Sequence, residues 1–210
     1  MIEKDAIFNR ILFILLVALY LLSLGFFLNL QWQESQEGER WMIALNGLIV
    51  SIPLVLFFGS IYVLVSAWRA HRLRGEVGTR MAKVIHTAPR LAAILIIFFV
   101  SLFSFDVFDM GGTILEQLGA FLMHSLPSIV LIILLVFAWR RPLIGFIVFL
   151  LAGLAFLSFV ITGSGLWHFM LFSGPLLLIA GLFYADWRWL NSPPPTPLSE
   201  SVEQPPSGAA

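Results

Sequence analysis

Six apolar runs, each of a length that can cross a bilayer, are separated by connections alternately rich and poor in basic residues, and few folds satisfy that pattern. A hydrocarbon core about 30 Å thick takes about 20 apolar residues per helix. Runs of this order occupy residues 6–30, 42–67, 91–110, 118–138, 143–162 and 167–184. A mean hydropathy of +0.96 with only 11% charged residues lies far outside the soluble globular range. Each run must satisfy its own backbone in lipid, which favours helices. The expected fold class is therefore all-α, a polytopic membrane helix bundle with six transmembrane helices.

The connections set the orientation, because Lys and Arg are held back on the cytoplasmic side. Lys4 and Arg10 precede the first run, and Arg69, Arg72, Arg74, Arg80, Lys83 and Arg90 fill the second connection. Arg140 and Arg141 fill the fourth, and Arg188 follows the last run. Of the 12 Lys and Arg residues only Arg40 falls on the other side, beside Glu34, Glu37 and Glu39. Both termini are thus expected in the cytoplasm, with the chain in the plasma or inner cell membrane. Tryptophan prefers the headgroup level, and the 7 residues Trp32, Trp41, Trp68, Trp139, Trp167, Trp187 and Trp189 all fall at run boundaries.

A formal net charge of zero hides this separation, and no nucleic-acid partner is expected. The chain has no cysteine, which removes disulfides, thiolate catalysis and thiolate metal ligation together. The apolar part of the first run, 11–30, exceeds a cleavable signal region and no A-x-A-like site follows, so it reads as a retained helix.

Four segments follow: a two-helix transmembrane hairpin at 1–67, a basic cytoplasmic connection at 68–90, a four-helix transmembrane block at 91–190 and a tail at 191–210. The Pro-rich tail cannot bury enough apolar area to offset its ordering entropy and reads as disordered. In the connection, Met81, Val84 and Ile85 share one face of a short helix expected to lie on the inner leaflet. Arg69, Arg72, Arg74, Arg80 and Lys83 are expected to contact anionic lipid headgroups. On the outer side Gly111 and Gly112 end the third helix, and Thr113 with Glu116 has the capping-box spacing that starts a fourth. Pro53, Pro127 and Pro175 are expected to bend their helices.

Ionisable groups near a span are costly and are the first places to look for function. Asp106 lies 16 residues after Arg90, and His124 lies 16 residues before Arg140. At about 1.5 Å per residue both rise about 24 Å from the inner boundary. Equal depth on antiparallel neighbours predicts a polar clamp between Asp106 and His124. Asp109, Glu116 and His168 are expected at the same rim and complete the candidate cluster. Such groups suit a divalent cation or a proton relay. No H-x-x-x-H or H-x-x-E-H spacing fixes two ligands on one face, so the metal stays open and no catalytic residue or cofactor is assigned. Asn46, Ser51, Gly59 and Ser60, and Gly145, Gly153, Ser158 and Gly163, read as close-packing positions.

From about residue 89 to 190 the chain resembles a family of small, functionally uncharacterised prokaryotic membrane proteins built on four hydrophobic helices. The likeness is carried by Phe105-Asp106-Val107-Phe108, Glu116, His124-Ser125-Leu126-Pro127, Trp139-Arg140, Gly145 and Gly174-Pro175. It implies a four-helix fold and supplies no activity. Residues 1–67 add a hairpin in front.

These features favour a non-enzymatic integral membrane protein that acts by binding, as an accessory subunit or a membrane-organising protein. Its expected partners are the lipid bilayer and other membrane subunits or a second copy. A small transporter or channel using a protonatable Asp106 and His124 is the alternative. An intramembrane metal-assisted enzyme, third, needs several of Asp106, Asp109, Glu116, His124 and His168 to converge on one pocket.

Overall fold

A computed structural model describes residues 2–34, 40–75, 77–159 and 165–190, and almost all of them are helical. Helices α1 (Ile2–Glu34) and α2 (Arg40–Arg74) form a front hairpin. Helix α3 (Thr79–Leu102) runs directly into a 3-10 helix (Phe103–Met110), followed by α4 (Ile114–Arg140) and α5 (Pro142–Phe159). The last span joins α6 (Gly165–His168), a π-helical turn (Phe169–Ser173) and α7 (Gly174–Leu190). Five of these helices are long and apolar enough to cross a membrane, and α5, with 18 residues, is shorter. The tail at 191–210 lies outside the described residues, as do Glu37, Glu39, Gly163 and the end of the expected fifth run.

Helix α7 is the centre of the bundle and packs on α2, α3 and α5. Half of the apolar window of this span is buried, against 6% of that in α1. Phe99, Phe149, Leu176, Ile179 and Phe183 are at most 1% exposed and form the main core. Missing side chains make that packing possible. A Cβ on Gly145 would lie 2.7 Å from the Phe183 ring, which stacks on Phe149 at 5.7 Å. Ser173 Oγ donates to the Gly153 carbonyl at 2.7 Å and ties the π-turn to α5.

The basic connection is more helical than its charge suggests. Helix α2 continues to Arg74 and α3 already begins at Thr79, leaving Gly75 at φ 72° as the turn residue. Ile85 does not lie on an outer surface: it is fully buried against Ala67 and Ala185. Burial of that side chain between two small residues wins over an interfacial position, and it seats the start of α3 on α7.

At its far end α3 departs from the expected continuous helix through 110. Phe103–Met110 is a 3-10 helix, in which residues three apart eclipse one another. Phe105 and Phe108 therefore share a face and both pack on Phe121 of α4, at 5.6 and 5.5 Å. Ser104 and Val107 share the next face and are buried, at 1% and 2% exposure. Phe103 and Asp106 share the third. Gly111 and Gly112, at φ 72° and 107°, then release the chain. The expected capping box is formed, with Thr113 accepting from the Glu116 N–H and Glu116 accepting from the Thr113 N–H.

Candidate functional site

The third face of the 3-10 helix opens on a cavity of about 460 Å³ between the front hairpin and the rest of the bundle. Four polar side chains from separate segments line it: Gln31 of α1, Asn46 of α2, Asp106 of the 3-10 helix and His168 of α6. The Asn46 amide nitrogen donates to Gln31 Oε1 at 3.4 Å, a long bond across the hairpin. The remaining walls are apolar, aromatic and aliphatic together. Phe99, Phe103 and Phe172 pack mutually at 5.2 to 5.6 Å, and Phe27 stacks on Trp167 at 5.4 Å. His168 in turn stacks on Phe172 at 6.3 Å.

The π-turn aims part of this wall. Its extra residue per turn sends the Gly174 N–H to the carbonyl of Phe169 and places Leu171 and Phe172 at the cavity. A Cβ at Gly174 would sit 2.5 Å from the Phe57 ring, so only glycine lets α2 approach here. Pro175 follows the turn, where a helix lacking one N–H is already irregular.

The structure redistributes the expected cluster. Asp106 and His168 meet at one cavity, and His124 does not join them. The His124 ring is exposed and its Nδ1 lies 2.9 Å from the Ala120 carbonyl of its own helix. No hydrogen bond or ion pair links Asp106 to His124 among the described residues, so the clamp is not formed. Its premise was a common rise of about 1.5 Å per residue. The 3-10 segment breaks that premise and gives Phe105 and Phe108, not Asp106, to α4. Glu116 is occupied by the capping box. Asp109 belongs to the 3-10 helix, and its side chain lies outside the described residues. Among the described residues no three His, Asp or Glu side chains gather as a metal ligand set.

A charged group that patterning overlooked sits at the opposite, basic end. Arg90 and Asp186 are 5% and 1% exposed, and Arg90 Nη1 donates to Asp186 Oδ2 at 2.8 Å. Arg90 also donates to the carbonyls of Trp139, at 3.0 Å, and of His86. His86 Nδ1 lies 3.2 Å from Asp186 Oδ1, with its own side chain 60% exposed. One guanidinium thereby ties α3, the end of α4 and α7. Charge patterning marks Arg90 only as a boundary cation; the missed signal is that Asp186, a carboxylate at the basic end of the last run, needs a counter-ion at its own depth.

Of the other basic residues of this end, Arg69 is half-buried and Arg72 is exposed. Arg69 lies over the Phe8 ring at 3.9 Å and Arg72 over Trp68 at 5.1 Å. Arg80 and Lys83 are exposed, and the Arg74 side chain lies outside the described residues.

Fold and site together define an all-helical bundle of apolar, membrane-length helices with a polar cavity at one end and a buried ion pair at the other. The chain belongs to the DUF7670 family, a domain of unknown function, whose model matches residues 78–194. No curated protein and no solved structure matches it. The match begins at Gly78, the N-cap of α3, so the Arg90–Asp186 group lies wholly inside the family domain. The cavity does not: Gln31 and Asn46 come from the hairpin in front of it, and Asp106 and His168 from the domain.

Proposed function

We propose that this chain is a non-enzymatic integral membrane protein that acts by binding, and that the cavity between hairpin and family domain is where it binds. The helices make six crossings of the cell membrane, α5 included. The basic end and both termini face the cytoplasm, and Arg69, Arg72, Arg80 and Lys83 meet anionic headgroups. In that frame the cavity opens at the outer interface, and the protein serves as an accessory or organising component of the membrane.

One observation carries the reading: Gln31, Asn46, Asp106 and His168 converge on one space from four segments. They include no nucleophile and base pair and no metal ligand set among the described residues, which favours recognition over chemistry. Conduction is disfavoured by the packed layer of Ile96, Leu176, Ile179 and Phe183 between the cavity and the basic end. Thermal unfolding of the detergent-solubilised protein against a panel of cationic, neutral and anionic amphiphiles tests this. A ligand at a hundred times its Kd stabilises by about 2.7 kcal/mol, so wild type should shift with at least one class and Asn46→Leu should not. Wild type unmoved by every class, or both proteins shifting alike, contradicts the proposal.

A further inference from the structure

We infer that the cavity takes an organic cation, an ammonium or guanidinium group carried on an apolar chain. The inference rests on the binding reading above and narrows its ligand class.

Charge comes first. Among the described residues Asp106 is the one acidic residue of the lining, and no Lys or Arg lines the cavity. Asp106 makes no hydrogen bond or ion pair to another described residue, so its carboxylate is available to a ligand. An anionic ligand would be repelled by this carboxylate.

The walls then select among cations. An inorganic divalent ion needs several oxygen or nitrogen ligands at short range, and among the described residues no such set forms. Aromatic faces, by contrast, attract a diffuse organic cation through their quadrupoles, with tryptophan the strongest. Here Trp167 and Phe27 stand as a stacked pair, and Phe99, Phe103 and Phe172 form a second group. The Asn46 amide gives one of its two N–H groups to Gln31, and its carbonyl oxygen can accept from an N–H of the ligand. Ile49, Val50 and Leu171 continue the lining and suit an alkyl chain.

The two parts of the protein hold different shares of this recognition. The family domain supplies the carboxylate, the imidazole and Trp167, whereas the hairpin supplies the amides and Phe27. The hairpin therefore closes a site that the family domain leaves open on one side.

Equilibrium binding to the full chain in non-ionic detergent, followed by calorimetry, uses octylammonium, octanol and octyl sulfate as probes. Saturable binding of the ammonium is expected, at least tenfold tighter than octanol. It should weaken at least tenfold in Asp106→Asn, recover in Asp106→Glu, and weaken in Trp167→Leu. Each variant is first matched to wild type in thermal unfolding. If Asp106→Asn binds the ammonium as tightly as wild type, the inference is overturned. If octanol or octyl sulfate binds as well as the ammonium and Asn46→Leu abolishes it, the cation class is wrong and the binding site stands. No saturable binding by any probe removes both.

Discussion

Arg90 and Asp186 show how much one buried pair can organise. Bringing two charges out of water costs several kcal/mol per ion, and their attraction balances this only with good geometry and further hydrogen bonds. The Trp139 and His86 carbonyls provide those bonds to Arg90. Removing one partner is consequently far worse than removing both. Asp186→Ala should cost about 3–5 kcal/mol, read as a large fall in the detergent unfolding midpoint, because it strands the Arg90 guanidinium at 5% exposure. The double replacement Arg90→Met with Asp186→Leu should recover most of that loss. No recovery in the double replacement, or a silent Asp186→Ala, would mean that the pair is not what joins α3, α4 and α7. Gly145→Ala belongs to the same scale. Its methyl would overlap the fully buried Phe183 ring, and such overpacking costs about 1–3 kcal/mol by the same midpoint measurement.

At the scale of elements, what could be read in advance depended on whether the signal was local. The Thr113 and Glu116 capping box stands in four consecutive residues and forms as expected. Thr113→Ala should cost about 1 kcal/mol, and a loss of helicity confined to the first turns of α4 by hydrogen exchange would verify it. Pro53 and Pro127 lie inside α2 and α4, where each removes one backbone N–H from the helix. The 3-10 segment was not legible, since Phe103–Met110 is as apolar as the helix before it. Its period is chosen by Phe121, Phe172 and the core, which lie far along the chain. That single change of period took Asp106 away from His124 and gave it to the cavity. The π-turn is a matching case, set by the contact of Gly174 with Phe57. Gly174→Ala should push the turn outward, shift Leu171 and Phe172, and weaken ligand binding more than it lowers the unfolding midpoint.

For the whole molecule, run lengths and hydropathy announced an all-helical bundle of six spans; among the described residues five helices are long and apolar enough to cross a membrane, and α5 is shorter. Packing order was illegible, because helices that are apolar on most faces point nowhere. Only the structure makes α7 the central helix and leaves α1 largely uncovered. The pairing of Arg90 with a residue 96 positions away was hidden for the same reason. The proposed function needs the cavity and the ion pair on opposite sides of the bilayer, the cavity outside. The chain is naturally free of cysteine, so single replacements Asp106→Cys and His86→Cys, both at exposed positions, can be probed with a membrane-impermeant maleimide. In intact cells the account predicts labelling of Asp106→Cys at once and of His86→Cys only after the membrane is opened; labelling of His86→Cys in intact cells, with Asp106→Cys protected, would contradict it.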